Sequence, residues 1–219
     1  MRQRQFFVTG TDTAVGKTVL SALLCAALDA HYWKPIQTGA DEDSDSRTVA
    51  ELAELPSTRI LAEAYRFGPP VSPHLAARWA GERIDLARIA IPDALRSQSL
   101  IVEGAGGLLV PVNENQFMLD VMRHLQLPVI LASRSTLGTI NHTLLSLAAL
   151  HGAQLAIAGV VLIGEPNADN REAIERYGQV RVLGEIPKLV PLNRAALLAT
   201  FSARFDRDFF AGGEQDQRA

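Results

Sequence analysis

The 219 residues are 47% hydrophobic and 21% charged, a balance that excludes a fibrous or disordered chain and suits one sizeable domain over 1–211. A formal charge of -3 gives no reason to expect nucleic acid or an anionic membrane as partner, and no apolar run reaches the roughly 18 residues of a membrane span. With one cysteine an internal disulfide is excluded, and without a long apolar segment before the first predicted strand a cytoplasmic setting is expected.

The first predicted strand, Phe6 to Thr9, meets the turn Gly10-Thr11-Asp12-Thr13-Ala14-Val15-Gly16-Lys17-Thr18, and a helix follows over Lys17 to Leu28. Cys25 falls on its apolar side and reads as packing. A second strand, Tyr32 to Pro35, carries Lys34 at its C-terminal end, pinned by Pro35. The acidic run Asp41 to Asp45 precedes a helix over Ser46 to Leu55. Tyr65 to Pro73, rich in proline, reads as an ordered loop, and a helix is expected over Asp85 to Arg96. A third strand, Leu100 to Glu103, leads into Gly104-Ala105-Gly106-Gly107. Helices at Gln116 to Leu125, Thr139 to His151 and Asn167 to Tyr177 alternate with strands at Val129 to Ala132, Ile157 to Ile163 and Val180 to Leu183. A last helix spans Leu192 to Phe209, and the polar tail 212–219 reads as disordered.

Near-continuous apolar strands alternating with helices predict a mostly parallel sheet covered on both faces, a three-layer α/β/α sandwich. Where a parallel strand hands over to a helix, backbone N–H groups converge on anionic oxygens. Gly16-Lys17-Thr18 at that place reads as a nucleotide phosphate site: Lys17 reaches the outer phosphates and the Thr18 hydroxyl joins a Mg²⁺ shell. The motif is irregular, because Thr11 occupies the usual first glycine position and Gly10 stands one place earlier.

Glu103 ends an apolar strand in the crevice beside that turn, where an unpaired carboxylate would be costly, so it reads as a second metal ligand. Asp45 is not singled out by composition; its run fits a solvated loop or a helix cap as well as a metal site. Lys34 faces the same crevice as Lys17, although taken alone it fits a surface lysine equally well. Thr38 and Gly39 offer further donors. No histidine grouping has zinc-ligand spacing, and no nucleophile motif occurs, so chemistry here rests on positioning and electrostatics.

Together these segments resemble the dethiobiotin synthetases. The matching stretches are Val8 to Thr13 with Val15 to Thr18, Lys34-Pro35 with Thr38-Gly39, Ser72-Pro73-His74, Val102 to Gly107, Leu127 to Ile130, Leu137 to His142 and Leu183 to Pro187, in family order. The resemblance implies a P-loop α/β fold and a homodimer with its active site near the interface. It implies substrates 7,8-diaminopelargonic acid, CO₂ (or bicarbonate) and ATP, with Mg²⁺, and the products dethiobiotin, ADP and phosphate. It gives catalytic roles to Lys17, Lys34 and Thr13. Nucleotide contacts fall to Gly10, the run Asp12-Thr13-Ala14-Val15-Gly16-Lys17-Thr18-Val19, Glu103, Gly106, Ile163, Gly164, Pro187 and Lys188. The metal falls to Thr18, Asp45 and Glu103. The diamine falls to Thr13, Lys34, Thr38, Pro73, Gly106 and Gly107, and its distant carboxylate to Gly138, Thr139, Ile140 and Asn141 of the partner subunit.

Two departures from that family stand out. Ile163-Gly164 occupies the place where many members carry Asn-Asp to read adenine. Base recognition then falls to Glu165, Asn167 or backbone near Pro187 or Lys188, or is lax between nucleotides. Ala14 stands where some members have Glu. Rival readings are a P-loop amide ligase of cobyrinate type and a nucleotide-switched partitioning or maturation ATPase. The second fits less well, because the extra lysine such switches carry early in the P-loop is missing.

Overall fold

The computed structural model describes residues 4–41 and 44–212, so Glu42, Asp43 and the predicted tail beyond Gly212 lie outside the described residues. In chain order the elements are β1 (Gln5–Gly10), α1 (Lys17–Leu28), β2 (His31–Trp33), β3 (Ile36–Gln37), α2 (Asp45–Ala53), β4 (Tyr65–Arg66), α3 (Pro73–Trp79), β5 (Leu100–Gly107), α4 (Met118–Leu125), β6 (Val129–Arg134), α5 (Thr139–Gly152), β7 (Ile157–Ile163), α6 (Ala168–Gly178), β8 (Val182–Ile186), α7 (Arg194–Arg204) and α8 (Arg207–Ala211). Six strands form one sheet in the order β2-β5-β1-β6-β7-β8, every pair parallel. β3 and β4 form a separate two-stranded parallel ribbon.

The two faces of the sheet bury different sets of side chains. Phe7, Val102, Leu131 and Leu162 point to the face covered by α3, α4, α5 and α6, with Ala76, Met118, Leu147 and Ile174 packed against them. Val8, Ile101, Ile130 and Val161 point the other way, onto Leu20, Leu24, Val49, Leu197 and Phe210 of α1, α2, α7 and α8. Strands buried on both faces need apolar residues at successive positions, which is why their runs are nearly continuous. Each large apolar side chain so buried contributes about 1.5–3 kcal/mol. The predicted α/β/α sandwich with a parallel sheet is the architecture found.

Several local expectations change. The strand holding Glu103 continues to Gly107, so Glu103 lies mid-strand rather than at its end. The register between β1 and β5 slips after Val8, and Gly107 draws level with Gly10, where a Cβ on Gly107 would stand 3.3 Å from the Gly10 carbonyl oxygen. Asp85 to Arg96 forms no α-helix; it makes two short 3₁₀ turns, Leu86–Arg88 and Asp93–Leu95. Pro92 precedes the second turn, and Ile84, Leu86 and Ile89 are drawn into the core at a spacing no helix face supplies.

The proline-rich loop contains β4, and Pro73 opens a helix, a position where its missing N–H costs nothing. The final helix breaks at Phe205, which turns extended and lays its ring over Gly184, where a Cβ would meet the ring at 2.5 Å. Asp206 N–H then donates to the Leu183 carbonyl at 2.8 Å, and the Asp206 side chain caps α8.

Candidate active site

The turn between β1 and α1 opens onto a cleft of about 620 Å³ at the C-terminal ends of β1, β2 and β5. Gly16, the N-cap of α1, has φ +101°, and an added Cβ would stand 2.9 Å from Ile163 Cδ1. Both the backbone angle and the contact restrict this position to glycine. Ala14 also adopts a left-handed φ of 53°. The Lys17 ammonium donates to the Asp12 carbonyl at 3.0 Å, folding back over its own loop. Burial dominates at Lys17 and holds its pKa below the usual lysine range despite the Glu103 carboxylate nearby.

Behind the turn four side chains form one polar cluster. The Thr18 hydroxyl lies 2.5 Å from Asp45 Oδ1 and 3.1 Å from Glu103 Oε1. The Lys34 ammonium lies 2.5 Å from Asp45 Oδ2 and 3.2 Å from Glu103 Oε1. Burial alone would lower the Lys34 pKa, but Glu103 and Asp45 outweigh that cost and raise it above the usual lysine value. Burial also opposes ionisation of Asp45, yet Lys34, helped by Thr18 and Gln37, brings that carboxyl below the ordinary Asp value. Asp45 occupies the first turn of α2, where the free N–H groups favour an anion, and its own N–H donates to Gln37 Oε1 at 3.2 Å.

The sequence expectations sort cleanly on this geometry. Thr13, Ala14, Gly16, Lys17, Thr18, Lys34, Thr38, Asp45, Pro73, Glu103 and Gly106 all line the cleft. Lys34 stands one residue beyond β2 and is 5% exposed, which removes the surface-lysine reading. Asp45 is neither a plain loop residue nor a mere cap, because its carboxylate reaches Lys34 and Thr18.

Other expected residues lie elsewhere. Gly107 lines a neighbouring groove with Thr11, Leu109 and Leu145. Gly138 and Thr139 border a separate recess of about 70 Å³ with Asp12 and Arg134, at the start of α5. Ile163 packs on Gly16, and Gly164, with φ +126°, would bring a Cβ to 2.5 Å from Ser135 Oγ, so no side chain fits there. The Asn167 side-chain oxygen is committed to capping α6 at Asn170 N–H, 2.9 Å.

Ser72, expected as part of a small-ligand loop with Pro73, lines the cleft too; sequence reading missed Pro70, Val71 and Val110 as cleft walls, and it missed Tyr32 beneath Glu103. The proline-rich composition of 69–73 is a signal for a fixed wall; nothing local marks Tyr32, whose phenol simply reads as core.

Among the described residues no group of three or more His, Cys, Asp and Glu side chains could hold a metal by itself. The donor set that does converge is two carboxylates and a hydroxyl, hard oxygens of the kind Mg²⁺ takes when phosphates and water complete its shell. The residues therefore fit that ion. No helix among the described residues is long and apolar enough to cross a membrane.

A family model described as an AAA domain matches residues 4–196. The chain is 48% identical over 204 residues to the ATP-dependent dethiobiotin synthetase BioD of Rhodopseudomonas palustris strain BisA53, covering 93% of this chain and 95% of that protein. It is 47% identical over 206 residues to the same-named protein of Nitrobacter hamburgensis, covering 94% and 96%. It is 52% identical over 197 residues to the biotin biosynthesis bifunctional protein BioCD of Bordetella avium, covering 90% of this chain and 42% of that longer one. Among solved structures, a ParA family ATPase from Chlorobium tepidum superposes with a TM-score of 0.56 at 12% identity, over 97% of this chain and 98% of that one. A nucleotide-binding protein from Archaeoglobus fulgidus, solved with ADP, gives 0.52 at 13% identity, over 94% and 90%. At that identity the two superpositions speak to the fold alone. Identity near one half along almost the full length, with a P-loop and a lysine–carboxylate cluster in one cleft, makes this chain a member of the ATP-dependent dethiobiotin synthetase family.

Proposed function

We propose that this chain, as one P-loop domain, carries out the ATP-dependent carboxylation and ring closure of 7,8-diaminopelargonic acid to dethiobiotin, releasing ADP and phosphate. One amine captures CO₂ as a carbamate, and a carbamate oxygen takes the γ-phosphoryl group of ATP. The second amine then attacks the carbon of the carbamic-phosphoric anhydride, closing the five-membered ring and expelling phosphate.

The observation that carries this reading is the meeting of Lys17 and Lys34 in one cleft, beside the oxygen cluster of Thr18, Asp45 and Glu103. Lys17, already at the head of α1, releases the Asp12 carbonyl to meet the outer phosphates. Lys34 neutralises the carbamate and the moving phosphoryl; removing one such preorganised donor typically costs a factor of about 10²–10³ in rate. Thr13, Thr38 and Pro73 wall the diamine site, with Gly106 allowing close backbone approach. Holding the second amine beside the activated carbon supplies the rest, since proximity alone is worth up to about 7–11 kcal/mol. Thr18, Asp45 and Glu103 would hold Mg²⁺, whose chemistry when bound is to neutralise phosphate charge.

The substrate carboxylate goes to Gly138 to Asn141 of a second copy. In support, Gly138 and Thr139 lie outside the cleft of their own chain. Leu109, Leu137 and Leu145 stand 62%, 103% and 63% exposed beside that region, an apolar surface suited to pairing. Base reading rests on Glu165 and on backbone near Pro187 and Lys188, since Gly164 carries no side chain and the Asn167 oxygen is engaged.

The test is phosphate release from ATP. It should require the diamine and bicarbonate together. Turnover indifferent to the diamine would remove the synthetase reading in favour of a switch ATPase.

A further inference from the structure

We infer that Tyr32 is a positioning residue for Glu103, holding one carboxylate oxygen so that only the other faces the site. The inference rests on the reading of Glu103 as a Mg²⁺ ligand and adds to it a residue that the cleft lining does not contain.

The geometry begins in the sheet. Tyr32 is the middle residue of β2 and pairs with Ile101 of β5, so Glu103 lies two residues further along the neighbouring strand on the same face. Diagonal neighbours of that kind are within reach of a long side chain. The Tyr32 hydroxyl donates to Glu103 Oε2 at 3.0 Å. Tyr32 is fully buried and Glu103 is 1% exposed, so water does not compete for the bond.

The two oxygens of Glu103 consequently have different neighbours. Oε2 faces the phenol, whereas Oε1 faces Thr18 and Lys34. The terminal torsion of Glu is broad and roughly two-fold, so the backbone alone does not decide which oxygen points where. The phenol holds Oε2 on the side away from Thr18 and Lys34. A carboxylate anchored in this way presents one oxygen in a fixed direction. Outer partners of metal ligands of this type typically change metal affinity by about 10–100-fold when removed.

The experiment measures Mn²⁺ binding by the paramagnetic resonance of the free ion, with protein and a non-hydrolysable ATP analogue present. Tyr32→Phe keeps the ring and removes the hydroxyl. It should weaken Mn²⁺ by about 10-fold or more, and in a Glu103→Gln background it should add nothing. Trp33→Phe, in the same strand, serves as the packing control and should lower the melting temperature without moving Mn²⁺ affinity. If Glu103→Gln binds Mn²⁺ as the parent does, the metal reading itself fails. If Glu103→Gln weakens binding while folded Tyr32→Phe does not, the positioning role alone fails. Should Tyr32→Phe not fold, the unaltered protein still decides. Its infrared difference spectrum on adding Mg²⁺ and the analogue should show a Glu103 band, absent from Glu103→Gln, with the wide stretch separation of a carboxylate bound through one oxygen. A narrow separation, with both oxygens engaged, would overturn the inference.

Discussion

Replacing Lys34 by Met tests the cluster at its centre, because methionine keeps an unbranched apolar stem and removes the ammonium, its charge and its N–H donors together. The Lys34 and Glu103 side chains are 6% and 0% exposed, and Asp45 is 28% exposed. Removing one partner of a buried pair costs about 3–5 kcal/mol, since the remaining charge stays buried without compensation. Two features hold the cost to the lower end. Asp45 borders the cleft and can be hydrated, and Glu103 keeps its bonds to Tyr32 and Thr18. A loss of about 3 kcal/mol lowers the melting midpoint of a chain this size by roughly 6–12 °C.

Thermal unfolding followed by circular dichroism, without nucleotide, reads this directly. Adding Mg²⁺ should recover more of the midpoint in Lys34→Met than in the parent, because in the parent the lysine ammonium competes for Asp45 and Glu103. ATP binding should survive while product formation falls by about 10²–10³. An unchanged midpoint would refute the energetic argument. Equal recovery by Mg²⁺ in both proteins would show that the lysine and the ion do not share those carboxylates.

Glu103→Gln should raise the Mg²⁺ concentration needed for half-maximal phosphate release; an unaltered requirement takes Glu103 out of the metal shell. Acid stability should follow Asp45. Its folded pKa lies below the unfolded value of about 3.9, so its contribution is complete above that value and is lost as pH falls through the lower folded pKa. The gap in urea midpoint between the parent and Asp45→Asn should therefore be constant from neutral pH to about pH 5 and close in more acidic solution. A gap that widened on acidification would contradict the pairing with Lys34.

Tertiary context overrode sequence pattern where a segment's partners lie far along the chain. Asp85 to Arg96 has enough apolar residues for a helix, yet Ile84, Leu86 and Ile89 are drawn into the core cluster that holds Trp33, Ile36 and Tyr65, and the segment forms two short 3₁₀ turns instead. Phe205 leaves its helix because the ring fits the surface that Gly184 leaves bare. Glu103 lines the cleft but lies inside its strand rather than at its end, since Gly104 to Gly107 continue β5 alongside β1.

By itself the sequence determined the α/β/α class and the phosphate turn, because both rest on local rules. Strands buried on two faces must be continuously apolar, and a strand–glycine–helix junction exposes N–H groups wherever it occurs. Family resemblance singled out Asp45, but from composition its acidic run stayed ambiguous. Only the tertiary structure brought together Thr18 and Asp45 at the starts of α1 and α2, Lys34 in the loop after β2 and Glu103 in β5, each lysine or hydroxyl contact to a carboxylate being 2.5–3.2 Å. It alone placed Tyr32 behind them, because the contact depends on the register of β2 against β5, which no local pattern encodes.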